Sequence, residues 1–287
     1  MTVSDIAPPR PGAPADRKRT PRPAWGLIVS LVVLGLFALA AVAPAVLATH
    51  SPTAQDFANA LRPPSAQFWF GTDEGGRDLY SRVVYGTRES LLIGVGAAGL
   101  AMVIAVVFGS VAALGDRVTA AVVNRVIEIA FAFPILLFAL LMVAILGPSA
   151  GTAILAVGIS TAPGYARMVR GQILAERNAG YVEAARALGH PRGRIIGQHI
   201  LPNAMRPLVA LFTMSIGQSI VWASGLAFLG LGVAPPSSEW GALLDAGRAY
   251  LLQAPWLTFI PGAVILVLAL AATTVGRRIQ NHLEKAQ

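Results

Sequence analysis

Two short stretches, Glu183-Ala184-Ala185-Arg186-Ala187-Leu188-Gly189 and His199-Ile200-Leu201-Pro202-Asn203, stand in a polar island between long apolar runs. Four apolar residues recur there at the helical spacing i, i+3, i+4 and i+7: Tyr181, Ala184, Ala185 and Leu188. This spacing predicts a helix with one narrow apolar stripe beside Glu183. Gly189 suits the left-handed residue that ends a helix, and Pro191 suits the first turn of the next. The island, residues 170–204 and called here the polar segment, is therefore predicted to be a helix, a sharp turn and a second helix.

The composition of the whole chain is that of a membrane protein. Of the 287 residues, 55% are hydrophobic and only 13% are charged, and the mean hydropathy is +0.64. Ordinary soluble domains carry about 25% charged residues. Six apolar stretches are long enough to cross about 30 Å of hydrocarbon. They are residues 24–48, 89–114, 122–146, 150–169, 205–232 and 257–276. We therefore expect an all-α polytopic membrane protein with about six transmembrane helices.

The basic residues predict how these spans are oriented. With both termini in the cytoplasm, only five of the 22 Lys and Arg residues fall outside: Arg62, Arg77, Arg82, Arg88 and Arg248. Such a bias is the positive-inside pattern of multi-pass membrane proteins. Residues 1–23 are then a disordered cytoplasmic tail, 49–88 an extracytoplasmic segment, 89–276 the membrane core with the polar segment on its cytoplasmic side, and 277–287 a second cytoplasmic tail. A signal peptide is the alternative for 24–48, although its apolar run exceeds the usual length of about 7 to 15 residues.

Several classes of chemistry have little support in the sequence. The chain has no cysteine, and its four histidines are scattered, so no metal site is expected. Lysine occurs only at Lys18 and Lys285, which excludes a G-x-x-x-x-G-K-[ST] phosphate loop. We expect no cofactor on this chain, no enzymatic activity of its own and no nucleic-acid partner; nucleotide chemistry would come from another subunit. Membrane lipid is the expected surrounding.

Two patterns inside the apolar runs have competing interpretations. Residues 94–99 match G-x-G-x-x-G, but no strand precedes them, so small residues that allow close helix packing explain them better than a dinucleotide site. Arg125 and Glu128 lie three apart, which favours an intrahelical ion pair over a substrate or proton relay. Pro134, which lacks an amide donor, is expected to bend the same span.

The polar segment resembles the diagnostic loop of the inner-membrane permease subunits of ABC importers. That loop reads E-A-A, three residues, G, nine residues, I, one residue, L-P, and it is matched here by Glu183, Ala184, Ala185, Gly189, Leu201 and Pro202. His199 replaces the isoleucine, as in the dipeptide, oligopeptide and nickel branch. A second signature of that branch, G-T-D-x-x-G-R-D-x-x-S-R, is matched by Gly71, Thr72, Asp73, Gly76, Arg77, Asp78, Ser81 and Arg82, with Arg88 following. The resemblance covers most of the chain.

The resemblance implies a type I ABC importer permease fold and a set of partners. This chain would form half of a translocation pathway in the bacterial cytoplasmic (inner) membrane, beside a second permease subunit in a heterodimer. The importer would carry two ABC ATPase subunits, and an ATPase would dock on the polar segment of this chain through Tyr181, Glu183, Ala184, Ala185, Leu188, Gly189, His199, Leu201 and Pro202. An extracytoplasmic solute-binding protein would deliver a dipeptide or oligopeptide, or alternatively nickel or another small solute.

The sequence leaves two pairs of alternatives, one for the charged residues of the extracytoplasmic segment and one for the function. Arg77, Asp78, Arg82 and Arg88 could stabilise the extracytoplasmic segment through ion pairs or touch the substrate. A stand-alone channel or an ion-coupled transporter is the alternative function, but it would normally place ionisable residues near the membrane midplane, and this chain has few.

Overall fold

A computed structural model describes residues 25–234 and 236–285, the side chains of 284 and 285 excepted. The expected tail 1–23 and the last two residues lie outside the described residues. The described chain is helical and contains no strand beyond an isolated bridge between Thr72 and Asp78. Its α-helices are α1 Trp25–Val42, α2 Pro44–Leu47, α3 Leu79–Leu114, α4 Arg117–Ala132, α5 Ile135–Leu146, α6 Ala150–Arg177, α7 Gly180–Ala187, α8 Arg192–Ile195, α9 Leu201–Leu226, α10 Trp240–Arg248 and α11 Trp256–Lys285. A 3₁₀ turn at Phe57–Asn59 and π turns at Ile196–Ile200 and Ala227–Leu231 complete the described elements.

Length and composition qualify four helical stretches of the described chain as membrane spans. These are Trp25–Val42, Leu79–Leu114, Arg192–Leu231 and Trp256–Leu283. The pair α4 and α5 adds a fifth if the two helices count as one span, which is bent by 88°. The remaining expected span, residues 150–169, is helix α6. It is rich in Gly, Ser and Thr, and a helix enclosed by other helices needs less apolar surface than one that faces lipid.

Helix α3 starts earlier than the sequence predicts. We expected the span to begin at residue 89, but the helix begins at Leu79. Asp78 caps it by accepting a hydrogen bond from the Ser81 amide at 2.9 Å. The polar residues 81–89 lower the hydropathy of this stretch without interrupting the helix. With 36 residues, α3 is about 54 Å long, so it extends well beyond the hydrocarbon thickness of about 30 Å.

Two apolar clusters lie at opposite ends of α3. At its C-terminal end, Ala112 and Ala113 pack with Ile173 of α6, and the buried residues of the polar segment join this cluster. At its N-terminal end, Leu79 and Val83 pack with residues of α9, α10 and α11. Residues 49–78 and 236–256 meet at this second end, and we call these two segments the cap. The polar segment and the cap therefore lie on opposite sides of the bundle.

The glycines of residues 94–99 lie where helices approach one another. A Cβ built on Gly94 would lie 2.2 Å from the Ile220 side chain of α9, and one on Gly96 would lie 3.0 Å from Ile154 of α6. Gly99 has open space around it. The packing interpretation therefore accounts for two of the three glycines.

The span that contains Pro134 is bent as predicted, and more sharply than an ordinary proline kink. Phe133 and Pro134 have extended backbone between α4 and α5, so the helix is interrupted and not merely curved. Arg125 and Glu128 form the expected intrahelical pair, with Nη1 and Oε2 3.5 Å apart and both side chains largely exposed.

Candidate functional site

The turn predicted at Gly189 is present in the polar segment. Helix α7 ends at Ala187, and Gly189 has a φ of +78°. The Gly189 amide donates to the Arg186 carbonyl at 3.0 Å, and the His190 amide donates to the Ala185 carbonyl at 3.2 Å. These two bonds form a Schellman motif, which satisfies the last carbonyls of the helix. Pro191 lies at the N-cap position, one residue before the first turn of α8, and makes no side-chain capping bond.

The predicted apolar stripe of α7 is divided between two faces. Ala185 is buried, together with Val182, which the sequence argument did not single out and which is completely enclosed. Tyr181 and Leu188 point outward, with exposed fractions of 42% and 77%, and Ala184 is exposed between them. We call Tyr181, Ala184 and Leu188 the outer stripe. Val182 and Ala185 thus attach α7 to the bundle, and the outer stripe remains uncovered.

Polar contacts fix one end of the outer stripe. The Tyr181 hydroxyl donates to the Glu176 carboxylate and accepts from Asn203 Nδ2 at 3.2 Å. Burial and the Glu176 carboxylate raise the pKa of Tyr181, so its hydroxyl stays protonated. The His199 ring lies 6.3 Å from the Tyr181 ring, measured between centroids. Glu183 is exposed in the first turn of α7, where its negative charge interacts favourably with the positive end of the helix dipole.

Arginines tie the polar segment to the end of α3. Arg177 Nη1 donates to the Ala113 carbonyl at 3.1 Å, and Arg192 Nη2 donates to the Leu114 carbonyl at 2.7 Å. The last carbonyls of a helix have no partner within it, so these guanidinium groups act as side-chain caps. No pattern in the sequence indicates this role. A movement of the polar segment would be passed directly to α3.

The second helix predicted in the polar segment is continuous with a membrane span. Helix α8, the first π turn, α9 and the second π turn form one helical stretch that runs from Arg192 to Leu231. The first π turn contains His199, and its closing bond joins the Leu201 amide to the Ile196 carbonyl. Pro202 follows within the first turn of α9, where its missing amide donor is tolerated. The segment is therefore joined to α9 without a flexible linker.

In the cap, the 71–82 signature forms a tight polar turn. Thr72 is completely buried, and its hydroxyl accepts from the Arg62 amide at 2.8 Å. Asp73 Oδ1 accepts from the amides of Gly75 and Arg77 at 2.8 and 2.9 Å. Gly71 and Gly76 both have positive φ angles. The signature is thus a rigid connection into α3.

Three charged residues of the signature, Asp73, Arg77 and Arg82, are paired with one another. Asp73 Oδ2 lies 2.7 Å from Arg77 Nε and 2.5 Å from Arg82 Nη1. Arg82 is buried and also donates to the Ser237 carbonyl at 3.0 Å. Asp78 accepts from the amide and hydroxyl of Ser81. These contacts give Arg77, Asp78 and Arg82 a structural environment in the cap.

Arg88 is placed differently from the other charged residues of the signature. It is exposed on α3, and none of the ion pairs within the described ranges involves it. The structure therefore does not bring it into the cap cluster.

A buried carboxylate at the start of α10 completes the cap, and sequence analysis did not identify it. Glu239 is 3% exposed and accepts from the amides of Gly241 and Ala242 at 2.9 and 2.8 Å. The Ser90 hydroxyl of α3 donates to it at 3.3 Å. The next residue, Trp240, is fully buried and donates from its indole to the Val83 carbonyl at 3.0 Å. Burial is the main cause that raises the pKa of Glu239.

Comparisons with known proteins agree with this architecture. Residues 105–287 match the model of the family "Binding-protein-dependent transport system inner membrane component". This match covers more than half of the chain. The chain belongs to that family.

Relatives of similar length support the assignment along most of the chain. The dipeptide transport system permease protein DppC of Alkalihalophilus pseudofirmus is 37% identical over 257 residues, which are 90% of this chain and 84% of the relative. The probable D,D-dipeptide transport system permease protein DdpC of Escherichia coli is 40% identical over 258 residues, 90% and 86% of the two chains. The glutathione transport system permease protein GsiD of Pectobacterium atrosepticum is 35% identical, covering 88% and 84%.

Solved structures support the fold. A chain of the inward-facing MetNI methionine ABC transporter aligns with a TM-score of 0.59 at 20% identity, covering 70% of this chain and 96% of that one. An amino acid ABC transporter chain gives the same TM-score at 16% identity. The fold is therefore that of ABC transporter permeases. The family and the relatives make the chain a multi-pass membrane protein and a transport subunit.

Proposed function

We propose that this chain is one of two permease subunits of an ABC importer that carries dipeptides or oligopeptides into the cytoplasm. Its partners are a second permease, two ATPases and an extracytoplasmic solute-binding protein. The polar segment and both termini lie on the cytoplasmic side, which agrees with the distribution of Lys and Arg. The cap then faces the solute-binding protein. The chain needs no cofactor of its own, since ATP is hydrolysed on the partner ATPases.

The exposed outer stripe of α7 is the observation that carries the proposal. Exposed apolar surface on a small helix fits a groove in a partner, as in other helix-in-groove interfaces. Val182 attaches the helix to the bundle, and Arg177 and Arg192 connect the polar segment to α3. A push on the stripe would therefore reach the spans directly. Closure of ATPases on ATP would supply that push.

The substrate part of the proposal rests on the relatives. Three of them, cited above, are named as permeases for dipeptides, D,D-dipeptides and glutathione, all of which contain peptide bonds. Binding of dialanine to the cognate solute-binding protein, compared with a nickel chelate, tests this part. Dialanine binding is expected, and binding of the nickel chelate alone would contradict peptide import.

Docking is tested by a change at the most exposed residue of the outer stripe. Leu188→Asp places a charge where an apolar side chain should be buried, which we expect to weaken ATPase association about 10- to 100-fold and to abolish uptake. Glu183→Lys should act in the same direction. The measurement is co-purification of the ATPases with the co-expressed permease pair, together with uptake of labelled dialanine.

A matched control separates docking from folding. Leu252, in the cap, is 99% exposed, and Leu252→Asp makes the same chemical change on the opposite side of the bundle. This variant should retain the ATPases. Normal co-purification of Leu188→Asp and Glu183→Lys would refute the docking surface.

A further inference from the structure

The broken span between α4 and α5 borders a large cavity with mixed lining. The cavity has a volume of about 680 Å³. Phe131, Phe133 and Pro134 of the break form one wall, α6 forms the second with Thr161, Tyr165 and Arg167, and α9 forms the third. Its volume falls within the range of about 300–1,000 Å³ that is usual for small-molecule sites.

Arg167 is the charged residue of this cavity. Its guanidinium carbon lies 4.5 Å from the centroid of the Phe131 ring, a cation–π arrangement. None of the ion pairs within residues 25–234 and 236–285 includes Arg167. A charge on a membrane-embedded helix is costly unless it faces water or a ligand, and it commonly marks a functional site.

The break in the span is a second, independent observation. In lipid, backbone without helical hydrogen bonds is tolerated only where it is buried in protein or lines a water-filled cavity. Phe133 and Pro134 have non-helical backbone and line this cavity. Broken helices in transporters commonly surround the substrate site. The cavity therefore borders the non-helical backbone of a broken span, the place where a transporter can hold a substrate.

The lining indicates what kind of ligand fits. Gln218 and Trp222 lie four residues apart on α9 and contribute an exposed amide and a half-buried indole. An amide can both donate to and accept from a peptide bond. Phe131 and Trp222 can hold apolar side chains. A guanidinium binds a carboxylate in a bidentate, charge-assisted arrangement.

We propose that this cavity is a substrate site in the translocation pathway and that Arg167 binds the C-terminal carboxylate of the peptide in transit. The inference rests on the proposed function and adds to it a residue that recognises the substrate. Phe131 holds the guanidinium in place from the opposite wall. A peptide whose C-terminus is an amide lacks the charge that Arg167 recognises.

The absence of cysteine from the whole chain permits a direct test. Met168 follows Arg167 and lines the same cavity, so Met168→Cys places one thiol beside the site. The rate at which a charged thiol reagent labels this chain is measured in the assembled transporter, with its solute-binding protein and ATP. Dialanine should slow labelling, and its C-terminal amide should not. Leu252→Cys in the cap is the control, and dialanine should leave its labelling unchanged.

Variants of Arg167 complete the test. Arg167→Gln should abolish protection by dialanine and reduce uptake about 10- to 100-fold, while ATPase association stays normal. Arg167→Lys keeps the charge but not the bidentate geometry. Its uptake of dialanine and its protection by dialanine should lie between those of the unmodified protein and those of Arg167→Gln.

Three results would overturn the proposal. The first is full protection by dialanine in Arg167→Gln. The second is dialanine uptake without any protection of Met168→Cys, which would leave peptide import standing. The third is labelling that responds to the anionic lipid content of the vesicles and not to the peptide, which would assign Arg167 to a lipid phosphate. Absence of any peptide uptake by the unmodified transporter would refute the proposed function as well.

Discussion

At the scale of single residues, two glycines with nearly the same φ angle have different reasons to be glycine. Gly76 has a φ of +72° and Gly189 a φ of +78°. A Cβ on Gly76 would lie 1.8 Å from the Asp56 carbonyl oxygen, which is impossible without a backbone shift. A Cβ on Gly189 would meet nothing within 4 Å. Gly76 is required by both conformation and space, whereas Gly189 is required by conformation alone.

This difference predicts unequal costs for the same substitution. Gly189→Ala should lower the free energy of unfolding by about 1–2 kcal/mol, the strain of a left-handed alanine. Gly76→Ala adds a collision with backbone and should cost at least about 3 kcal/mol. Thermal unfolding of the purified protein in detergent measures both. Equal losses in the two variants would contradict the steric argument.

Single residues also show where sequence reasoning succeeded. The positive φ of Gly189 and the close packing at Gly94 were predictable, because each depends on a local pattern or on residue size. The division of the α7 stripe was not. Ala184 and Ala185 are neighbours of the same type, and only the position of the bundle decides that Ala185 is buried. Val182 went unrecognised because helical spacing alone does not identify the inward face.

At the scale of elements, the start of α3 and the caps of its far end show what hydropathy misses. Arg82 is buried in the first turns of α3, where a charge would normally argue against a membrane helix. It is accommodated because the Asp73 carboxylate neutralises its charge and the Ser237 carbonyl, from a distant segment, accepts a hydrogen bond from it. Likewise, no local sequence pattern predicts that the Arg192 side chain caps the C-terminal end of α3. Such contacts are set by tertiary structure and not by periodicity.

A buried carboxylate, Glu239, is among the contacts between α10 and α3, and it gives the cap a pH dependence. Burial raises the pKa of Glu239 above its unfolded value of about 4.3. The folded state therefore binds this proton more tightly than the unfolded state. The stability from this group is fully present below the unfolded pKa and is lost as the pH rises through the folded pKa.

The expected result is a fall in the unfolding temperature as the pH is raised above the unfolded pKa of about 4.3. Trp240, which is fully buried beside Glu239, provides a fluorescence signal for the cap. Glu239→Gln cannot ionise, so it should show a smaller dependence on pH, although it loses a hydrogen bond from the Ala242 amide. Glu128→Gln, at an exposed site on α4, should retain the full dependence. The same slope in Glu239→Gln as in the unmodified protein would refute the assignment.

At the scale of the whole molecule, the two ends of the bundle differ: the cap is held by contacts between distant segments, and the polar segment exposes an apolar stripe. The cap joins residues that are far apart in sequence, as in the contact of Arg82 with Ser237 and that of the Trp256 indole with the Thr72 carbonyl. The polar segment instead presents an uncovered stripe while it is fastened to α3, α6 and α9. A rigid cap and an exposed but firmly attached polar segment suit a subunit on which a partner pushes from the side of the polar segment.

The last prediction concerns the ion pair that closes the cap. Asp73→Asn keeps the shape of the side chain but leaves the buried Arg82 without a negative partner, which should cost about 3–5 kcal/mol in unfolding free energy. Glu74→Gln removes the other partner of Arg77, but the Glu74 side chain is 33% exposed, so its loss should be at most about 1 kcal/mol. Thermal unfolding in detergent compares the two. A cap held together mainly by apolar packing would instead give similar, small losses, because then neither carboxylate would compensate a buried charge.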